Sequence, residues 1–287
     1  MQAIRSILVV MEPDHPQNLA LNRARLLSSV TQSHLHLLVV GTKRDHSHYL
    51  NKVAAELKAE GFTVTTQQAF KDSAHQTIIQ VSKVEGCTLV VKQHFADNPL
   101  KKALLTPEDW KLMRYSPAPV LMVKTDRPWT GGLILAAVDV GNKDGEHQTL
   151  HKGIVSHGAQ IAELAKGTLH VIAAHPSPML SAADPTFQIS ESIKAAYQAK
   201  CRDFQDAYGI DDQHLHIEEG PADVLIAHTA HKLNAVVTII GTVARSGLTG
   251  ALIGNTAEVV LDQLQSDVLV IKPDDILDRL EDVVAQR

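Results

Sequence analysis

Cysteine is scarce: the 287 residues carry only Cys87 and Cys201. They lie far apart, in different halves of the chain, so neither a disulfide framework nor a C-x-x-C site is available. A reducing cytoplasm is the expected setting. Clustered basic residues are missing as well. The formal net charge is -5, and no run of Lys and Arg builds the electrostatic footprint that nucleic-acid binding requires. Long apolar runs are also absent. The start Met1-Gln-Ala-Ile-Arg-Ser-Ile-Leu-Val-Val10 is too short for a signal peptide or a membrane span before Glu12 and Pro13 interrupt it, and it reads as a first strand.

Several catalytic signatures are lacking too. No G-x-x-x-x-G-K-[ST] occurs, which excludes a Walker-type ATPase, and no G-x-S-x-G, which argues against a hydrolase nucleophile elbow. HIGH-like and SGG-type nucleotidyl-transfer motifs do not appear. Lys272-Pro273 after the last strand invites comparison with a phosphoacceptor receiver, but the run His214-Leu-His-Ile-Glu-Glu219 offers no matching strand-end Asp. Lys124 and Lys272 are accordingly read as surface lysines at strand ends.

What is present is a repeat. Ser6-Ile-Leu-Val-Val10 answers to Leu133-Ile-Leu-Ala-Ala137, and His34 to Val40 answers to Thr168 to Ala174. The halves stay in register, Thr88 to Val91 with Val237 to Ile240 and Ala118 to Val123 with Asp267 to Ile271. These short β-branched and leucine-rich runs alternate with stretches of helical period such as Gln17 to Val30 and Pro221 to Leu233. Apolar strands separated by crossover helices imply parallel sheets covered on both faces. The fold class expected is α/β: two tandem doubly wound domains, each a five-stranded parallel sheet flanked by helices. The expected spans are 1–128, 132–275 and a C-terminal helix over 276–287. Asp126-Arg-Pro-Trp-Thr-Gly-Gly132 has linker composition, so two separate sheets are expected rather than one of ten strands.

The richest local feature is Gly241-Thr-Val-Ala-Arg-Ser-Gly-Leu-Thr-Gly-Ala-Leu-Ile-Gly254-Asn255-Thr256, directly after the apolar run Val236 to Ile240. A strand end, a glycine-rich loop and a helix start make a phosphate seat, because glycine admits close backbone approach and a helix N-terminus favours an anion. The alternative is a flexible surface loop that contains glycines. In an open parallel sheet a ligand binds beyond the strand carboxyl ends, where strand order reverses. If the strands ending at Asp139 and at Ile240-Gly241 are neighbours there, Asp139 faces the loop and can accept two ribose hydroxyls. Asp is equally at home as a turn residue or helix cap.

With these residues in view, the chain resembles the universal stress protein family, in its tandem E type with two such domains in one polypeptide. The resemblance covers nearly the whole chain. It rests on the repeated pattern, on Asp139, and on an ATP signature of Gly, two residues, Gly, nine residues, then Gly with Ser, Thr or Asn. Here that signature reads Gly241, Thr242-Val243, Ala244, Arg245 to Ile253, Gly254 and Asn255. Ala244 departs from it, placing a methyl where the family has glycine. The resemblance implies ATP, or AMP or ADP, with Mg²⁺ as a possible companion. It implies that Ala137, Val138 and Asp139 meet the ribose and base edge, that Val171 contacts adenine and that Ile240 flanks the base. Gly241, Ala244, Gly254, Asn255 and Thr256 would then hold the phosphates. Taken singly, each apolar residue of that set is as readily strand core.

The first half differs. Its corresponding loop, Gln93-His-Phe-Ala-Asp-Asn-Pro-Leu100, contains no glycine. The position of Gly254 falls on Thr106, and Thr106-Pro-Glu-Asp109 reads as a helix N-cap whose acids repel a phosphate. No ATP site is expected there, and Glu12, at the place of Asp139, is structural or serves another ligand. The sixteen histidines invite a metal hypothesis around His34, His36, His46, His48 and His94, but spacing does not unite them and no metal is assigned. Residues Asp274 to Arg287 place Ile276, Leu277, Leu280 and Val284 on one helical face, a helix that docks on its own protein rather than on a membrane. Two function classes stay open. One is a cytoplasmic stress-response regulator or adaptor that binds nucleotide in its second half, with at most slow hydrolysis, a two-fold homodimer as default and a downstream protein partner. The other is a scaffold or small-ligand carrier with no nucleotide.

Overall fold

The computed structural model describes residues 4–15, 17–41, 44–70, 73–94, 108–141, 145–175, 187–242, 260 and 263–273. The first half comprises β1 (Ser6–Val10), α1 (Leu19–Thr31), β2 (His34–Val40), α2 (Ser47–Ala59), β3 (Val64–Ala69), α3 (Ala74–Val84), β4 (Leu89–Gln93), α4 (Glu108–Tyr115) and β5 (Val120–Val123). The second comprises β6 (Leu133–Val138), α5 (Gly145–Ala165), β7 (Thr168–His175), α6 (Phe187–Tyr208), β8 (Leu215–Glu219), α7 (Ala222–Lys232), β9 (Val237–Gly241) and β10 (Asp267–Ile271).

Within each half the strands are parallel, as the buried apolar runs require: β1, β5 and β10 are buried at every position. Alternation then divides the core. Along β6, Ile134, Ala136 and Val138 belong to the core layer that also holds α1, α2, α5 and α6, while Leu135 and Ala137 belong to the layer that holds α3, α4, α7, Val260 and Leu264.

The expectation of two separate sheets is overturned. The order is β3-β2-β1-β4-β5-β10-β9-β6-β7-β8, a single ten-stranded sheet. The halves meet where β10 pairs antiparallel with β5, Leu269 opposite Leu121. The physical reason is the edge. Each half alone would end in an apolar strand, β5 or β10, with a row of open N–H and C=O groups, and pairing the two edges satisfies both.

The linker-like segment is also packed rather than loose. Trp129 is fully buried, and its Nε1 donates to Asp267 Oδ2 at 2.9 Å. Arg23 of α1 donates from Nε to the same oxygen at 2.6 Å, while the backbone N–H groups of Lys124 and Thr125 donate to Oδ1 at 2.9 and 3.1 Å. Arg23 lies 4.9 Å above the Trp129 ring. One buried carboxylate therefore gathers α1, the inter-half segment and β10.

Lys124 and Lys272 are not surface lysines. Lys272 Nζ donates to the carbonyls of Met113 and Ser116 at the end of α4, at 2.5 and 2.6 Å, and Lys124 Nζ donates to the Leu264 carbonyl. Each half thus sends a strand-end lysine Nζ to carbonyls of the other half. Burial pulls the Lys272 pKa down to about 7 and that of Lys124 to about 8, the latter opposed by Asp267. An unfolded lysine titrates near 10.4, roughly. Between about pH 7 and that value the unfolded chain binds the extra proton, so the penalty for Lys272 is relieved and stability rises with pH. Urea midpoints at pH 7 and pH 9.5 should therefore move further upward for the native chain than for Lys272→Met. Equal shifts in the two proteins would contradict this.

Candidate functional site

The strand order reverses between β6 and its neighbours: the chain leaves β6 for β7 on one side and returns as β9 on the other. β6 and β9 pair in parallel, Ile134 with Val237 and Ala136 with Ile239. Continuing that register sets Ile240 level with Ala137 and Gly241 level with Val138, all of them close to the carboxyl rim. The structure thus brings Ala137, Val138, Asp139, Ile240 and Gly241 together at the expected reversal. It does not bring Val171 to the rim. Val171 pairs with Ala136 and is fully buried, whereas Ala173 is the partner of Val138 and β7 runs on to His175. Two residues along a strand are about 6.6 Å. Ala244, Gly254, Asn255 and Thr256 lie outside the described residues.

Asp139 is exposed, and its Oδ1 accepts from the Gly141 N–H at 3.1 Å, closing a turn. Gly241 is explained by packing. A Cβ there would lie 2.5 Å from Leu150 Cδ2 and 3.0 Å from Ile154 Cδ1, so its lack of a side chain lets α5 close onto β9. Thr242 follows, its N–H donating to the Ile271 carbonyl at 2.9 Å. The residue is only 5 % exposed, and its Oγ1 has no hydrogen-bond partner among the described residues.

Sequence reading passed over the α6 wall of this site. Tyr197 donates from its hydroxyl to the Ala174 carbonyl at 3.0 Å and lies 4.9 Å from the His175 ring, while Lys200 donates to the Gly141 carbonyl at 2.9 Å. Burial raises the Tyr197 pKa, with Cys201 and Asp139 adding to the effect, so its hydroxyl stays protonated and donating. The available signal was the spacing of Tyr197 and Lys200, three residues apart on one helix face.

At the matching reversal in the first half, β1 pairs with β4. There Asp109 receives Lys92 Nζ at 2.8 Å and pairs with His94 Nδ1 at 3.0 Å, and the Gln93 side chain accepts from the Leu19 N–H at 3.2 Å. Burial alone would raise the Asp109 pKa, but His94 and Lys92 outweigh it and hold the carboxylate low. Glu12 goes the other way, raised chiefly by burial against the pull of Lys92. The acids Glu108 and Asp109 open α4, while Thr106 and Pro107 lie outside the described residues.

His34 and His36 bond Thr65 at 3.1 and 2.8 Å. A cluster not foreseen joins His170, His214 and His216. His170 Nδ1 and His216 Nε2 are 2.9 Å apart with rings only 10° from parallel, so one shared N–H···N bond fills the space between them. Burial, followed by His214 and His216, lowers the His170 pKa to about 4. Among the described residues no group of His, Cys, Asp and Glu could hold a metal ion, and no helix is long and apolar enough to cross a membrane.

The sequence profile of the universal stress protein family matches residues 133–272. "Universal stress protein E" of Salmonella typhi is 33% identical over 223 residues, covering 75% of this chain and 70% of that protein. A "Universal stress protein E homolog" of Haemophilus influenzae is 34% identical over 266 residues, covering 89% and 84%. The chain belongs to the universal stress protein family. Among solved structures, a functionally unknown protein of Pseudomonas aeruginosa is 66% identical with a TM-score of 0.89, covering 100% of this chain and 99% of that one. A universal stress protein of Archaeoglobus fulgidus shares the fold alone, at 20% identity and a TM-score of 0.65, covering 94% and 97%. Membership agrees with the mostly parallel α/β sheet and places this universal stress protein among stress-response proteins.

Proposed function

We propose that this universal stress protein binds an adenine nucleotide, ATP or AMP or ADP, at the β6/β9 reversal of its second half and acts through its bound state as a cytoplasmic regulator or adaptor. The observation that carries the reading is Thr242. A buried hydroxyl without a partner costs free energy, and this one stands directly after Gly241, at the start of the glycine-rich loop and at the end of the strand that pairs with β6, which Asp139 follows. Asp139 would take ribose hydroxyls with its carboxylate, Ala137, Val138 and Ile240 would flank the base with Val171 beneath, and backbone amides from Gly241 through Ala244 to Gly254, Asn255 and Thr256 would hold the phosphates, with Mg²⁺ as companion. The first half, where Lys92, Asp109 and His94 already neutralise one another, would stay empty. Functional units over 1–128 and 132–275 and a two-fold homodimer belong to the same proposal. With no Walker-type lysine, hydrolysis would be slow at most.

A scaffold or small-ligand carrier without nucleotide is the second reading. It is favoured by Asp139 and Gly241 each having an internal role, one in a turn and the other in packing.

ATP calorimetry on the full chain decides between them. Separated halves would expose β5 and β10 as open edges and are unsuitable. Thr242→Val is expected to weaken ATP binding by about tenfold, the worth of one hydrogen bond, while the melting temperature without ligand holds or rises. Gly254→Val should abolish binding, Asp139→Asn should weaken it modestly, and Ala244→Gly should leave it unchanged or tighten it. Absence of binding to the native chain, or unchanged affinity in a folded Gly254→Val protein, makes the scaffold the better account.

A further inference from the structure

Where the halves meet, β10 ends beside the start of β5, and a groove of about 1140 Å³ opens between α3 and α5. Its apolar lining includes Ile4, Pro119 and Ile271, and its basic members are Lys83, Lys152 and Lys272. Lys83 and Lys152 are exposed. Lys272 lines this groove, and the chain leaves the described structure one residue later, at Pro273. The remaining segment, 274–287, carries Asp274, Asp275, Asp278, Glu281 and Asp282 against only Arg279 and Arg287. In helical spacing Ile276, Leu277, Leu280 and Val284 form one stripe, and Glu281 borders it.

We propose that the acidic C-terminal segment, residues 274–287, folds back as an amphipathic helix into this groove of its own chain. The apolar stripe meets the apolar lining, and the carboxylates answer the rim lysines. Two observations select this occupant over a separate partner. The segment starts at the groove wall, so its effective concentration there is in the millimolar range, roughly, before any contact is made. Its charge is opposite to that of the rim. A helix over 276–287 would be about 18 Å long. Docked there, the segment braces α5, which packs on Gly241, against β10.

Hydrogen exchange by mass spectrometry on the full-length protein tests this in peptides spanning 276–284. The native chain should protect these amides. Lys83→Glu with Lys152→Glu should speed their exchange by about tenfold or more, and adding Glu281→Lys with Asp282→Lys should restore protection. Both lysines are exposed, so the fold survives the reversal, and the rescue variant separates a lost contact from general loosening. Exchange at the unstructured rate in the native chain would overturn the proposal, as would protection indifferent to charge reversal. Protection that disappears on dilution would also overturn it, because the groove would then hold the segment of a second copy.

Discussion

Asp267→Ala is expected to destabilise the protein by about 3–5 kcal/mol, the cost of breaking a buried ion pair and leaving its partner uncompensated. The carboxylate is completely buried and accepts from Arg23, Trp129 and two backbone N–H groups. Its removal strands a guanidinium that is itself buried. Those donors belong to α1 and to the inter-half segment, whereas Asp267 opens β10, so the loss falls on the junction. Urea unfolding measures it, and the native protein should unfold in a single transition. A loss below about 1 kcal/mol, typical of an exposed pair, would show that the junction is not held here. Replacing both partners, Arg23→Met with Asp267→Leu, should recover much of the loss, since well-packed apolar groups often match a buried ion pair.

Gly241→Ala is the second large effect. The new methyl would lie 2.5 Å from Leu150 Cδ2 and 2.8 Å from its Cγ, inside the core between α5 and β9. Overpacking of this kind costs about 1–3 kcal/mol. The partner substitution distinguishes packing from ligand approach. Leu150→Ala in the Gly241→Ala background makes room, so thermal stability should exceed that of Leu150→Ala alone corrected by the single Gly241→Ala penalty. Strict additivity of the two losses would show that Leu150 does not meet the methyl. A glycine kept only for phosphate approach would show little change in stability and a loss only in nucleotide titration.

Much of this protein was legible along the chain. The four matched pairs of apolar runs between Ser6 and Ile271 appear as strands at the expected places, because a buried parallel strand needs a short run of apolar residues and a crossover helix needs a longer amphipathic one, whereas β3, polar at Thr65, Thr66, Gln67 and Gln68, was not placed. The rule for open parallel sheets pointed to the strand ends at Asp139 and Gly241 on the condition that β6 and β9 are neighbours, and their pairing meets that condition. Family membership was visible in the same residues.

Other features existed only in three dimensions. Nothing in the run Asp267 to Ile271 distinguishes an edge strand from a central one, so its pairing with β5, and the single sheet that results, came from satisfying two edges at once. Lys124, Lys272 and Trp129 carried surface or linker character in sequence, yet their partners lie more than a hundred residues away, at Leu264, Met113 and Asp267. Tyr197 and Lys200 acquired meaning when α6 lay across the ends of β6 and β7, and Gly241 when α5 closed over it. Periodicity and turn chemistry are local properties and can be read from neighbours in the chain. A buried charge, a strand edge or a missing side chain is determined by whatever the fold places against it.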